Sequence, residues 1–289
     1  MARKRVWIVG TVSWDTVVYV NDFPTAGGFA QSTNRLERLG GSAANIAQGL
    51  ASADVETGLV TFLGNDDLGE RITNLLAASQ IKHLEILKVN DNSSHALVVV
   101  DRNGDRTVFA LSNNYLSQLS LADIGLQKSD IVVFTLWRPV FMESLKFAQA
   151  LGCCTVVGLE ALTDPQAPTA NLALGSASEL ASDNDISSFL DRFDRIVVTS
   201  GASGADLYSA SQYLHQPALS AEVVDTTGAG DSFFAGFLAA LARGDVIGNI
   251  GMKAGALWSA DMVSQYRSIP PNGNDVVGLL HVLDTAEQE

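Results

Sequence analysis

Short, nearly continuous apolar runs recur along this chain: RVWIVG (5–10), TGLVTFLG (57–64), DIVVFTLW (130–137), CTVVGLE (154–160) and RIVVTSG (195–201). Runs of this length without polar alternation predict strands covered on both faces. Between them the period changes. SAANIAQGLASA (42–53) and LGERITNLLAASQI (68–81) carry apolar residues at helical spacing, the second through Leu68, Ile72, Leu75 and Leu76. FMESLKFAQAL (141–151) and DISSFLDRF (185–193) predict further helices ahead of the two later strands. Strand and helix alternating in this way predict a doubly wound α/β architecture with a mostly parallel sheet.

Two segments depart from the alternation. Residues 15–38 open with DTVVYVNDFPTAGG, and residues 93–111 read SSHALVVVDRNGDRTVFAL, where Asn103-Gly104 is a strong hairpin-turn signal. Both are expected to be antiparallel and half-buried, forming a small β-sheet that projects as a lid over the strand ends. No internal repeat or low-complexity linker divides the chain, so residues 1–289 are expected to form one domain with the lid inserted. The tail from about 284 is expected to fray.

Composition narrows the function. Apolar residues are 47% and charged ones 17% of the chain, enough for a large core. The net charge of −14 and pI near 4.6 exclude a nucleic-acid partner, yet leave room for a small phosphorylated ligand held by local donors. Arg3, Lys4 and Arg5 precede an apolar run as in a signal peptide, but Asp15 breaks that run and a first strand is the better reading. No long uncharged apolar stretch predicts a membrane span. Cys153 and Cys154, adjacent in a strand-like run, point to opposite faces, so no disulfide framework is expected and a cytoplasmic location fits.

The chemistry concentrates in DTTGAGD (225–231), which opens a long apolar helix pattern through Phe233, Phe234, Phe237, Leu238 and Leu241. Gly228 and Gly230 allow successive N–H groups to converge, and the helix adds the positive end of its dipole. Such a turn holds anionic oxygens, including charge developing on a transferring phosphoryl group. Asp231 in the same turn is a candidate general base, although a helix N-terminus favours the carboxylate and weakens it as one. The plainer alternative is an acid decorating a helix start. No Walker A loop or dinucleotide fingerprint is present, since Phe233 occupies the third glycine position. Asp15, an acid inside VSWDTVVYV, is a second candidate because it interrupts an apolar strand; a turn or edge position is the alternative.

DTTGAGD matches without a mismatch the second signature of the ribokinase (PfkB-type) carbohydrate kinases, which the chain resembles from the strand ending at Gly10 to about residue 270. The first signature is recognisable in residues 39–70, with Gly40-Gly41, Asn45 and the G-x-D-x-x-G of Gly64, Asp66 and Gly69 in order. The resemblance implies a ribokinase-like three-layer α/β/α sandwich with a small β-sheet lid. It implies an ATP-dependent phosphotransferase acting on a sugar, with Asp231 as base and the backbone of Gly228, Ala229, Gly230 and Asp231 as anion hole. It further implies that Asp15, Gly41 and Asn45 hold sugar hydroxyls, and that Thr199, Gly201, Gly204 and Thr226 lie near ATP phosphates. By a looser match, Ala254 and Gly255 lie beside the adenine. Taken alone, Asn45 is an ordinary helical residue and G-x-x-G at 201–204 a simple turn.

The chain also departs from the family. The usual N-x-x-E element, which helps organise Mg2+ and phosphate, is read near residues 179–190 with Asp183 at the Asn and Ile186 at the Glu, leaving Asp183 a water-mediated role on the metal. Glu160 replaces a commoner aspartate. A monovalent cation such as K+ is a further implied cofactor. Ser42, where phosphosugar-specific members often carry Lys, favours an uncharged sugar; Arg138, following an apolar strand, is a candidate clamp for an anionic tail or else a surface arginine. Trp14 and Trp137 either wall the sugar or pack the core. The leading reading is transfer of the γ-phosphoryl group to a primary hydroxyl of a sugar or sugar derivative. Nucleoside kinase and catalytically silent sugar-binding regulator are the alternatives. Half-buried lid sheets want covering, which raises a homodimer joined through the lids.

Overall fold

The computed structural model describes residues 4–112, 119–180, 185–245 and 248–265. Nine strands form the main sheet: β1 (Val6–Val9), β4 (Thr57–Gly64), β5 (His83–Val89), β8 (Ile131–Phe134), β9 (Cys154–Gly158), β10 (Ala170–Ser176), β11 (Phe193–Thr199), β12 (Ala205–Ser209) and β13 (Tyr213–Gln216). Their order is β13-β12-β11-β10-β9-β8-β1-β4-β5. Pairings from β5 to β11 are all parallel, and β12 and β13 add an antiparallel edge.

Alternate residues of each strand feed two cores, as the two-residue period of a strand requires. Val6 and Ile8 pack on one face with α1 (Ser42–Ser52), α2 (Asp67–Ala77), α5 (Ala229–Ala242) and α6 (Asn249–Val263). Trp7 and Val9 pack on the other with α3 (Met142–Leu151) and the short α4 (Glu160–Thr163). A three-layer α/β/α sandwich results. Helix α5 is buried on every side from Ser232 to Ala242, which explains a sequence apolar all round rather than on one stripe.

The second sheet is the lid, in the order β3 (Ser32–Gly40), β2 (Ser13–Val20), β6 (His95–Val100), β7 (Arg106–Ala110). The Asn103-Gly104 turn joins β6 to β7 as an antiparallel hairpin, and β7 is exposed throughout. Two expectations need correction. Strand β2 is nearly all buried rather than half-buried, and it pairs with β6 in parallel. The chain re-enters the lid after β4, α2 and β5, so β6 runs in the direction of β2 instead of folding back on it.

The helix read at 185–193 shrinks to a single 3-10 turn at Ile186–Phe189. Asp185 Oδ1 accepts from the Ser187 N–H at 3.0 Å and from Ser187 Oγ at 2.7 Å, and the Ser188 hydroxyl donates to the Asp185 carbonyl. Local side-chain bonds of this kind compete with helix formation.

Candidate active site

The lid stands at the C-terminal end of β1, because β2 follows that strand after a three-residue link and β3 leads directly into α1. Gly41 makes the second junction at φ 89, where a side chain would lie 2.6 Å from the Thr11 carbonyl. At Gly40 a Cβ would collide with the Asp15 carboxylate, so the missing side chain clears the space that this carboxylate fills.

Asp15 is 7% exposed, and Ser13 Oγ donates to its Oδ1 at 2.7 Å. Burial pushes this carboxyl above its ordinary range and Asp231 adds to the push, while the Ser13 bond, Arg38 and His95 oppose it. Asn45, on the first turns of α1, donates from Nδ2 to Asp231 Oδ2 at 2.7 Å. The two ordered motifs therefore meet in one contact. Asn45 Oδ1 is buried and has no hydrogen-bond partner among the described residues, which leaves an unused acceptor beside Asp231.

Gly228 caps α5 in the left-handed conformation at φ 79, and the first intrahelical bond runs from the Ser232 N–H to the Gly228 carbonyl at 2.9 Å. The Ala229 N–H donates to the Thr226 carbonyl at 3.3 Å, and the N–H groups of Gly230 and Asp231 precede the first intrahelical bond, as at any helix start. A Cβ built at Gly230 would meet nothing within 4 Å, so the first turn of α5 opens onto free space. Upstream, Asp225 and Thr226 are fastened to the lid. Thr226 Oγ1 donates to the Gly104 carbonyl at 2.8 Å, and Arg106 Nη1 donates to the Thr226 carbonyl at 2.8 Å and to its hydroxyl at 3.1 Å.

The first motif's G-x-D-x-x-G ties the start of α2 to the chain entering the lid. Asp66 Oδ1 accepts from the Gly69 N–H at 2.7 Å and from Ser93 Oγ at 2.6 Å, and its Oδ2 accepts from the Ser93 N–H at 2.8 Å. One carboxylate thus caps α2 and fixes the chain just before lid strand β6.

On the opposite flank, β10 ends at Ser176 and Glu179 follows in the next turn. Burial raises the Glu179 carboxyl, the Ser176 N–H opposes this, and Glu160 and Asp231 add to the rise. Glu179 therefore lies within the electrostatic reach of Asp231. Asp183 lies outside the described residues, and Ile186 packs against the apolar core beneath α3. Ser176-x-x-Glu179 stands at the end of β10, just ahead of the register through Asp183 and Ile186.

Arg138 follows β8 with its side chain 51% exposed; Nη1 donates to the Trp137 carbonyl at 2.6 Å and lies 3.5 Å from Glu160 Oε1. Trp14 and Trp137 both pack in the core; Arg71 stacks 3.9 Å over the Trp14 ring, and Trp137 Nε1 donates to Asp164 Oδ2 at 2.7 Å. Thr199 ends β11, and Gly201 and Gly204 turn the chain at φ 54 and 96. Ala254 and Gly255 do not face a ligand space. A Cβ at Gly255 would lie 2.7 Å from the Phe233 carbonyl, and Ala254 is fully buried against Gly236, so both belong to the α5–α6 seam. One turn further on, Leu257, Trp258 and Asp261 line a cavity of about 340 Å3 with Leu219, Ala221 and Ser264.

The α/β sandwich thus brings a paired amide and carboxylate beside an open glycine-rich helix start. The chain belongs to the PfkB family of carbohydrate kinases, whose profile matches residues 3–137 and 171–257; these are phosphotransferases with an alcohol acceptor. It is 30% identical over 265 residues to an ATP-dependent ribose-1-phosphate kinase of Halopiger xanaduensis, covering 84% of this chain and 86% of that protein. It is 28% identical over 216 residues to a fructosamine kinase of Bacillus subtilis, covering 70% and 75%. Arabidopsis thaliana ribokinase in complex with ribose and ATP superposes with a TM-score of 0.77 at 20% identity, covering 96% of this chain and 98% of that one. Among the described residues no helix is long and apolar enough to cross a membrane.

Proposed function

We propose that the protein transfers the γ-phosphoryl group of ATP to a primary hydroxyl of a sugar or sugar derivative, with Asp231 as base. The observation that carries this reading is the 2.7 Å bond from Asn45 to Asp231, with the unpartnered Asn45 Oδ1 beside it. One Asp231 oxygen is oriented by the amide, and the other is left for the acceptor hydroxyl. Asp15 and Asn45 Oδ1 hold neighbouring hydroxyls and aim the attacking oxygen. As that oxygen bonds to the γ-phosphorus, its proton passes to Asp231 and the bond to ADP breaks. The N–H groups of Gly228 to Asp231 receive the charge on the phosphoryl oxygens. Closure of the lid over the sugar keeps out water that would otherwise take the phosphoryl group.

Thr199, Gly201, Gly204 and Thr226 are assigned to the nucleotide phosphates. The cavity lined by Leu257, Trp258 and Asp261 is assigned to the base, with Asp261 supplying an acceptor. Among the described residues no group of three or more His, Cys, Asp or Glu side chains could hold a metal ion unaided. Glu179 and Glu160 suit water-mediated contact with a Mg2+ carried on the phosphates, where the ion neutralises phosphate charge. The monovalent cation rests on the resemblance alone and enters no step.

A coupled ADP-release screen over neutral sugars, sugar phosphates, sugar acids and nucleosides tests the assignment. ADP release with a neutral sugar is expected if Ser42 sets the class, and with an anionic one if Arg138 does. Preference for nucleosides moves the acceptor to that class. Sugar binding without ADP release from any member of the panel overturns the kinase reading.

The exposed Val108, Phe109 and Leu111 of the lid hairpin suit burial against the lid of a second copy. A dimer mass by light scattering is expected, and a monomer at micromolar concentration removes that proposal.

A further inference from the structure

The register of the lid sets Arg38 directly opposite Asp15. The Cα partners on β2 and β3 are Ser13 with Gly40, Asp15 with Arg38, and Val17 with Leu36. Directly opposed residues project from the same face of a sheet, so Arg38 shares the inner face of the lid with Asp15. It is 7% exposed, unlike Arg35 and Glu37 beside it on β3, which pair with each other in solvent. Its Nη1 lies 3.5 Å from Asp225 Oδ2, in a pair whose side chains are 6% and 0% exposed. Asp225 also accepts from the Tyr19 hydroxyl at 3.0 Å and, through Oδ1, from the Thr227 N–H at 2.8 Å. Tyr19 stands on the same lid face, four residues along β2 from Asp15.

Arg38 therefore faces Asp15 across the strand pair while its guanidinium pairs with Asp225. Asp15 lies on the sugar side, and Asp225 opens the loop that runs into Gly228–Asp231. Buried carboxylates left uncompensated cost several kcal/mol each, so the lid cannot move Arg38 away from Asp225 without exposing that cost. A lysine would place one point charge between the acids, whereas the arginine fork can address both. Resting on the kinase reading above, we propose that Arg38 is a positioning residue that couples the sugar-binding acid Asp15 to the anion-hole loop through Asp225, so that seating the sugar fixes the geometry of the phosphate site. Neither known motif contains Arg38. Arg38 from β3 shares the inner face with Asp15 and the Ser13 hydroxyl donates to it, while Asp231 from α5 and His95, which stands opposite Trp14 on the other face of the lid, act on it through space; Arg38 opposes protonation of Asp15 and Asp231 favours it.

The test uses Arg38→Met and Arg38→Lys in the full chain, with the panel member that releases most ADP as acceptor. AMP-PNP, a non-hydrolysable ATP analogue, is titrated with and without that acceptor by calorimetry, and turnover is followed against pH. In the wild type the acceptor tightens AMP-PNP binding by roughly 5-fold or more, the usual scale of coupling between sites. In Arg38→Met this tightening is lost, kcat falls by about 10-fold or more, and the acidic limb of acceptor KM moves to higher pH. Arg38→Lys restores the position of the limb but only part of kcat. A lowered melting temperature with wild-type coupling, kcat and pH profile means a purely structural arginine and overturns the proposal. If Arg38→Met fails to fold, Arg38→Met with Asp225→Asn removes both buried charges and carries the same expectations. If no acceptor releases ADP from the wild type, the kinase reading fails by itself. D-ribose then serves as acceptor, and a wild-type AMP-PNP affinity indifferent to D-ribose overturns the coupling.

Discussion

Asp231→Asn is expected to lower turnover by roughly 100-fold or more, the usual contribution of a positioned general base, while the fold and nucleotide affinity stay in place. The site makes this a clean substitution. An asparagine can still accept from Asn45 Nδ2 at the position of Oδ2, the bond by which Asn45 orients the carboxylate. The backbone N–H groups of the first α5 turn are untouched, so phosphate binding survives. What disappears is the oxygen that takes the hydroxyl proton. A second signature accompanies the loss. Asp231 raises the carboxyls of both Asp15 and Glu179, so removing its charge shifts both groups toward their ordinary range and moves the acidic limb of acceptor binding to lower pH. Steady-state kinetics with the best acceptor and AMP-PNP calorimetry check both points. Near-normal turnover in the variant would sink the assignment of Asp231 as base.

The strands of the central sheet were legible wherever the apolar run was long and rich in β-branched residues, as at 57–64, which β4 matches end to end. They were illegible where the composition was small and mixed. ANLALGS, which becomes β10, offers little apolar bulk, and its strand character comes from pairing on both sides with β9 and β11. The end of that strand, with Glu179 just beyond it, therefore offered no candidate site residue by spacing. The parallel entry of β6 was equally hidden, since direction within a sheet depends on how far the chain travels between strands.

The site divides in the same way. Glycines and the acids beside them announce themselves by spacing, and Asp15 by interrupting an apolar strand. Ala254 and Gly255 looked like ligand contacts because small residues suit both a ligand and a helix seam; here the seam with Phe233 and Gly236 takes them. Arg38 and Asp225 show the limit of spacing arguments. Arg38 sits in the charged run NRLER, whose neighbours are solvent-exposed, and only the cross-strand register with Asp15 turns it inward. Asp225 belongs to a motif whose last residue drew attention to the helix start, although its own carboxylate is more completely buried than that of Asp15.

Asp15→Asn separates function from stability, with opposite signs. On the proposed reading its carboxylate accepts sugar hydroxyls through charge-assisted bonds worth about 1.5–3 kcal/mol each, and two weakened together lower kcat/KM by roughly 100-fold or more. In the wild type, kcat/KM falls as pH drops through the raised Asp15 pKa, and the variant lacks this limb. Stability runs the other way. The pKa of Asp15 is raised in the folded state above its ordinary 3.8, chiefly by burial. Its contribution to stability is therefore fully present below that ordinary value and is lost as pH rises through the folded pKa. At neutral pH the wild type carries a buried, ionised acid beside Asp231, and asparagine removes that charge while keeping an acceptor for Ser13 Oγ. Arg38 is not stranded by the change, because Asp225 remains as its counter-charge. The variant is expected to melt at the same temperature as the wild type or higher at pH 7–8, with the advantage gone below about pH 4. A variant that melts earlier at neutral pH yet keeps its kcat/KM would make Asp15 a structural acid and return the sugar site to Asn45 and Asp231 alone.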